Sequence, residues 1–399
     1  MRILIANDVL IGAGGVETYL STLVPQLQAH GHQVGVLHDD RATAPGPQRI
    51  VRDDVWRAGI QDEGAEAAFA RVREFAPDVC FSHNMRALDV DERLTREWPV
   101  VKMMHGHFGT CVSGHKAFAF PAVVPCGRTF GPACLLHYLP RRCGRGTPLA
   151  MMRDYVWGKR QRDLFARYQT IVVASRFMRD QFLRAGVPPG HVRAIPLFAP
   201  AVGSAVAVSR PRPIDVLFLG RLTNLKGPDA AIDAAARAGR QLGRRLNVMM
   251  AGDGPDRAYL GDLAVTSRVN TTFPGWVGPA ERDRLLRESA VLVIPSRWPE
   301  PFGLVGLEAA AFGTPSVAFD TGGIRDWLTN DENGRLIDPA SDTDGMGDAV
   351  AEILRDPALH CRLATGAREA ATRFRLDVHV GAVIRVLEAA IGSPVAAVE

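Results

Sequence analysis

Residues 291–310 read Val291-Leu292-Val293-Ile294-Pro295-Ser296-Arg297-Trp298-Pro299-Glu300-Pro301-Phe302-Gly303-Leu304-Val305-Gly306-Leu307-Glu308-Ala309-Ala310. Val291–Ile294 is apolar without alternation, which fits a strand buried on both faces of a parallel sheet. Prolines and a glycine then break the chain, and a helix is expected to begin near Phe302. A strand running through a loop into a helix is the repeating unit of a doubly wound sheet, and such sheets bind ligands beyond the carboxyl ends of their strands. Glu300 would precede this helix, and Glu308 would lie nearly two turns inside it. The helix N-terminus offers free N–H groups to a phosphate or to sugar hydroxyls. Glu308 falls in the apolar run Leu307–Phe312, so its carboxylate needs buried partners. A ribose diol would serve, and so would an internal salt bridge. Glu300 reads equally well as a solvated loop acid.

The same unit recurs on both sides of this stretch. In the second half, strands are expected at Val216–Leu219, Val248–Ala251 and Ser316–Phe319. In the first half they are expected at Arg2–Ala6, Val34–Leu37, Val79–Ser82, Val100–Met104, Ile171–Ala174 and Val192–Ile195. A helix is expected over Glu17–Ala29, where Tyr19, Leu20, Leu23, Val24 and Leu27 have helical spacing. Residues 194–209 carry no charge and are rich in Ala, Pro and Val, which reads as a linker. The fold class is therefore α/β, with two doubly wound, Rossmann-like domains facing a central cleft. The first covers 1–205 and the second 206–375. Residues 376–399 form a C-terminal helix that either crosses back to the first domain or packs on its own.

Bulk properties agree. A chain of 399 residues is natural for two cores. A formal charge of +4 and a pI near 8.8 suit an anionic ligand or a membrane surface, but are too weak to argue for nucleic acid. The opening run Ile3–Ala6 is cut short by Asn7 and Asp8, so it makes no signal peptide, and no apolar run reaches the length of a membrane span. A cytoplasmic protein is expected, with peripheral contact at the inner membrane face left open.

Two further loops carry ligand-binding chemistry. Gly12-Ala13-Gly14-Gly15 follows the first strand and opens the first helix. Its glycines would let Gly14 and Gly15 approach a ligand, or would merely make a tight turn. It is not a dinucleotide fingerprint. Strand Val216–Leu219 ends in Gly220-Arg221-Leu222-Thr223-Asn224-Leu225-Lys226-Gly227. Arg221 and Lys226 could clamp a diphosphate, the one as a fork and the other as a point charge. As loop cations with little core burial, both are expected to be replaceable without harm to the fold. Solvated cations are the plainer reading.

Taken in order, Gly220-Arg221…Lys226-Gly227, Ala251-Gly252-Asp253-Gly254-Pro255, Pro295-Ser296, Glu300…Glu308, Gly313-Thr314-Pro315 and Thr321-Gly322-Gly323 resemble the retaining GT-B glycosyltransferases of family 4, also called glycosyltransferase group 1. Gly14-Gly15-Val16-Glu17 looks like the family's glycine-rich start. The resemblance implies transfer of a sugar from a nucleotide-diphosphate donor, a UDP- or GDP-sugar, to a hydroxyl of a glycan, a lipid-linked acceptor or a small molecule. It implies that Arg221 and Lys226 bind the diphosphate and that Glu308 binds the ribose. Glu300, with the backbone N–H groups of Phe302, Gly303 and Leu304, would hold the donor sugar and its phosphate. His105 matches the cleft histidine of the family's first domain, and His107, two residues on, is the lesser match. With cations and helix dipoles at the diphosphate, no catalytic metal is expected. The family's Pro-Asn-Gly-Val-Asp before the linker is absent, replaced by Ile195-Pro196-Leu197-Phe198-Ala199-Pro200, so contacts made by that loop are in doubt. A 2-epimerase-like isomerase of the same architecture and a non-catalytic sugar-nucleotide-binding module are the competing readings.

Residues 106–150 form an irregular, cysteine-rich insertion with Cys111, Cys126, Cys134 and Cys143. These could hold a structural zinc, although the spacing is not CxxC…CxxC; free thiols or a disulfide are the alternatives. The insertion overhangs the strand ends of the first domain and is a candidate for acceptor recognition. The basic runs Arg141-Arg142-Cys143-Gly144-Arg145 and Lys159-Arg160-Gln161-Arg162 suit an anionic acceptor, a lipid face or plain solvent.

Overall fold

The computed structural model describes residues 1–10, 14–40, 51–144, 146–200, 212–339 and 342–392. Gly12, Ala13, Arg145, linker residues 201–209 with the 205/206 boundary, and residues 393–399 lie outside the described residues.

Ile3, Leu4, Ile5 and Ala6 are all fully buried, so neighbouring residues of one strand face two different cores. Their strand β1 (Arg2–Asn7) sits mid-sheet, flanked by β2 (Gln33–His38) and β4 (Val79–Ser82). Together with β3 (Trp56–Gly59), β5 (Val100–Met104), β8 (Thr170–Val173) and β9 (Val192–Ala194), it makes a parallel sheet in the order β3-β2-β1-β4-β5-β8-β9. A short hairpin of β6 (Ala117–Phe118) and β7 (Val124–Pro125) lies in the insertion. The second sheet, also parallel, contains β10 (Ile214–Leu219), β11 (Asn247–Ala251), β12 (Asn270–Gly275), β13 (Ser289–Ile294), β14 (Ser316–Phe319) and β15 (Gly334–Ile337). Its order is β12-β11-β10-β13-β14-β15.

In both sheets the strand order reverses once, between β1 and β4 and between β10 and β13. Loops leaving adjacent strands in opposite directions open a crevice there, and ligands of doubly wound folds bind in it. The loops carrying Gly14, Lys226 and Glu300 all leave from these two places.

One face of the first sheet packs Ile3, Ile5 and Phe81 against Leu20, Leu23 and Leu27 of helix Gly15–Ala29. The same cluster takes in Val380, Val383 and Leu387 of helix Leu376–Ile391. The last helix of the chain thus lies on the first domain. His379 fixes it: Nδ1–H donates to the Pro196 carbonyl at 2.7 Å, and Nε2 accepts from the Tyr19 hydroxyl at 2.9 Å. Because a carbonyl can only accept, the tautomer follows from the geometry. The ring of Phe198 tilts against Tyr19 and His379, and the Ala199 N–H donates to the Phe374 carbonyl at 2.8 Å. The Pro196–Ala199 loop, where the family pattern is missing, is thus used to seat the C-terminal helix.

Candidate active site

The two cation- and acid-bearing loops of the second domain meet at its switch point. Gly227, at φ 66°, begins helix Pro228–Leu242; a Cβ there would stand 2.2 Å from the Pro295 carbonyl oxygen, so only glycine lets the loops touch. Gly322, at φ 63°, lies as close to the Glu300 backbone, with 2.2 Å from its missing Cβ to the Glu300 oxygen. These contacts set the side chains. Lys226 Nζ donates to Glu300 Oε1 at 2.7 Å, and the Ser296 hydroxyl donates to the same oxygen. The ammonium also sits 5.2 Å from the centre of the Trp298 ring. Burial works to raise the Glu300 pKa, but the Lys226 charge and the hydrogen bonds outweigh it and hold it below the ordinary carboxylate value.

Glu300 is followed by helix Leu304–Ala311, with Gly303 at its N-cap. Among the described residues the N–H groups of Phe302, Gly303 and Leu304 meet no protein acceptor. They form an uncapped, positive helix end beside the ion pair. Glu308 is half-buried in the same helix and takes Arg282 Nη1 on Oε1 at 2.8 Å. Burial raises its pKa against the pull of Arg282. The internal salt bridge that sequence left open is therefore present, with Oε2 taking no protein donor among the described residues. Arg221 is exposed, near enough to His115 of the insertion for its charge to add to the burial that depresses that histidine. Lys226 corrects one expectation. It is not an independent loop cation, because removing it would strand a buried carboxylate.

Across the cleft, His105 follows β5, and its Nε2 lies 3.0 Å from Nδ1 of His83, which follows β4. Burial, aided by the charge of Lys102, lowers the His105 pKa to about 3 and holds His83 well below the usual histidine value. The dyad is thus neutral, one ring donating and the other accepting. His83 Nε2 is buried without a partner. An orphaned N–H costs more than an orphaned lone pair, so we assign the proton to His83 Nδ1, which leaves His105 an Nδ1–H donor. The floor beneath is a buried network: Lys102 donates to Asp91 at 2.6 Å and to Ser82 at 3.0 Å, and Tyr168 donates to Asp91 at 2.9 Å. His83 gave no sequence signal on its own, although it follows one strand end as His105 follows the neighbouring one.

His107 has a different task from His105. It is fully buried, and its Nε2 donates across the cleft to the Pro299 carbonyl at 3.0 Å. Burial lowers its pKa to about 4. Gly14 and Gly15 stand at the start of helix Gly15–Ala29, where a Cβ on Gly15 would meet nothing and one on Gly14 would meet only the mobile end of Glu17. Packing does not demand either glycine.

His105 also lines a cavity of about 710 Å³ between the strand ends of the first domain and the insertion. Met85, Met104, Phe108, Val112 and Trp157 supply apolar wall, and Arg86, Arg142 and Arg153 supply charge. The insertion has a core of its own in Val112, Phe130 and Tyr138. The buried Lys116 ammonium donates to the carbonyls of Thr110 and Arg128, and the Tyr138 hydroxyl donates to Asp154 at 2.6 Å. Cys111, Cys126, Cys134 and Cys143 are free thiols. Burial first, and then the nearness of the other three, raises the Cys143 pKa to about 12. Among the described residues no three His, Cys, Asp or Glu side chains are gathered as a metal-holding group.

Comparison with known proteins bears on this arrangement. Residues 205–370 match the family "Glycosyl transferases group 1", and residues 13–199 match "Glycosyltransferase Family 4". The chain is 39% identical over 170 residues to glycogen synthase of Mycobacterium tuberculosis, covering 42% of this chain and 40% of that protein. It is 34% identical over 243 residues to D-inositol 3-phosphate glycosyltransferase of Saccharomonospora viridis, covering 56% of this chain and 55% of the relative. The match thus takes in about half the length of these curated relatives or less. Among solved structures, Anabaena HepE in complex with UDP-glucose superposes with a TM-score of 0.70 at 19% identity, over 98% of this chain and 100% of that one. Sucrose-phosphate synthase from Thermosynechococcus elongatus gives 0.72 at 21% identity, over 98% and 99%.

Proposed function

The chain belongs to the group 1 glycosyltransferases of the GT-B fold, and from that premise we propose that it moves a sugar from a nucleotide-diphosphate donor to an acceptor hydroxyl. One observation carries the reading: the Lys226–Glu300 pair stands beside the uncapped start of helix Leu304–Ala311 at the switch point of the second sheet.

As the sugar–phosphate bond breaks, negative charge gathers on the leaving diphosphate. Lys226 turns from Glu300 to a phosphate oxygen, Arg221 closes from the loop, and the N–H groups of Phe302, Gly303 and Leu304 donate to the phosphate. Each such stabiliser contributes on the order of 3 kcal/mol to the transition state. Released from Lys226, Glu300 accepts the donor-sugar hydroxyls, while Glu308 Oε2 accepts from the ribose. His105 donates from Nδ1 to the sugar or acceptor in the cleft, and Gly14 and Gly15 border it. These groups neutralise the diphosphate without a metal. The acceptor attacks on the face the diphosphate leaves, and the leaving phosphate takes its proton, so configuration is retained. The donor base is uridine or guanosine; HepE, with the same fold, is described with UDP-glucose. The acceptor is a glycan, a lipid-linked sugar or a small molecule such as a phosphorylated cyclitol, as the name of the Saccharomonospora relative suggests. The protein works in the cytoplasm, with peripheral contact at the inner membrane face.

A thermal-shift panel in EDTA tests the donor class, because a ligand that binds the native state raises its stability as ln(1 + [L]/Kd). UDP or GDP, alone and as the glucose or mannose conjugate, should raise the melting temperature. A panel in which none does so overturns the reading.

A further inference from the structure

Most soluble surfaces scatter their exposed apolar side chains, but here they collect. Seven of the twelve large hydrophobic residues exposed among the described residues lie between Phe108 and Val156. Helix Pro148–Asp163 shows why this is not packing left unfinished at random. Its inner side sets Met151 and Tyr155 against the small core of the insertion. Leu149, Met152 and Val156, at 82%, 47% and 52% exposure, fall on the opposite side. At 3.6 residues per turn these three share an arc of about 60°, flanked by Arg153 and Lys159. A helix apolar on both sides is ordinarily covered on both. Leu136, on the adjoining helix Ala133–Tyr138, is 76% exposed as well.

Charge says what covers it. Residues 106–163 hold nine Lys or Arg, of which Lys116 is buried, and two Asp or Glu, while the whole chain holds 47 and 43. The remainder of the chain is thus net negative, and the positive charge of the protein resides in this one segment. Apolar side chains among cations, on an element lying at the surface, suit the boundary of an anionic bilayer, where the apolar groups enter the acyl region and the cations meet headgroup phosphates. The patch is also continuous with the cavity. Phe108 is exposed and lines it, and Arg142 and Arg153 stand in its wall.

We propose that the outer face of helix Pro148–Asp163, with the neighbouring insertion, docks on an anionic lipid surface and brings the mouth of the Met- and Trp-lined cavity to that surface. The acceptor then enters from the lipid, its apolar part against Met104 and Trp157 and an anionic group at Arg142 and Arg153. Only this acceptor step rests on the transferase reading; the docking stands without it.

Co-sedimentation of the full chain with vesicles of phosphatidylcholine, with and without phosphatidylglycerol, tests the docking. The wild type should pellet with the anionic vesicles alone, and high salt should release it, since the screening length shrinks to about 3 Å at 1 M. The triple variant Leu149→Ser/Met152→Ser/Val156→Ser should bind them at least about tenfold more weakly. Its UDP or GDP affinity should equal that of the wild type, because these side chains line neither the cavity nor the donor loops. Wild-type protein that stays in the supernatant overturns the proposal, as does a triple variant that pellets normally. Sedimentation equilibrium showing a wild-type dimer that the triple variant dissolves would assign the face to a second copy and overturn it too. Loss of nucleotide binding in the wild type would instead count against the transferase reading and leave the vesicle result standing.

Discussion

The imidazole of His107 in the first domain is hydrogen-bonded at 3.0 Å to the carbonyl of Pro299 in the second, one residue before Glu300. The contact is buried, and the ring is neutral, so it acts as a fixed donor holding the cleft at its present width. His107→Ala should widen the cleft. Small-angle scattering should then show a larger radius of gyration, and transfer should fall at least about tenfold, a loss of roughly 1.4 kcal/mol in transition-state stabilisation. Superimposable scattering curves with full activity would contradict the role.

The Lys226–Glu300 pair predicts an effect on stability as well as on turnover. Lys226→Ala strands a buried carboxylate, and breaking a buried pair from one side commonly costs about 3–5 kcal/mol. Lys226 is part-exposed, so the lower end of that range is the better guide. Lys226→Ala/Glu300→Gln removes both charges and should recover most of the lost stability while remaining inactive. Urea midpoints of the two single variants and the double variant form the cycle. Additive losses would show that the two residues do not interact.

Acid should loosen the first domain as the pH falls below about 6.5, the ordinary histidine value. His105, His107 and His379 are lowered by burial to about 3, 4 and 4, against 6.5 for an unperturbed ring. Between these values the unfolded chain binds more protons than the folded one, so stability is full above about pH 6.5 and is lost as the pH falls toward 4. Asp8 opposes this over part of the window, since burial raises it to about 6. Melting temperatures should decline from pH 7 to 4.5, and less steeply in His379→Gln, which keeps a hydrogen-bonding group but no titrating ring. A melting temperature constant or rising over that range would contradict the assignment.

The interior of both sheets was legible in the sequence. β4, β5 and β14 fall on the expected residues, because strands with neighbours on both sides and helices on both faces are mostly apolar, Ser82, Lys102 and Ser316 being their buried polar exceptions. The outer strands β3, β12 and β15 were not legible. Trp56-Arg57-Ala58-Gly59, Asn270-Thr271-Thr272-Phe273-Pro274-Gly275 and Gly334-Arg335-Leu336-Ile337 each have one strand neighbour and carry the polar residues and prolines that edges tolerate. The site loops could be read from their glycines and prolines. Which side chain meets which could not, since Lys226 and Glu300 are 74 residues apart and His107 and Pro299 are 192 apart. His105 and His107 differ by two positions in a motif, yet one turns into the first domain's cavity and the other reaches the second domain.

The central claim is that the second domain alone holds the nucleotide while the first domain serves the sugar and acceptor. Calorimetric titration of UDP and GDP in EDTA into wild type, Glu308→Ala and His105→Ala tests it most directly. One nucleotide should bind the wild type and His105→Ala with equal affinity, and bind Glu308→Ala at least about tenfold more weakly, a difference of roughly 1.4 kcal/mol. Equal affinity in all three proteins would contradict the account, and so would a loss confined to His105→Ala.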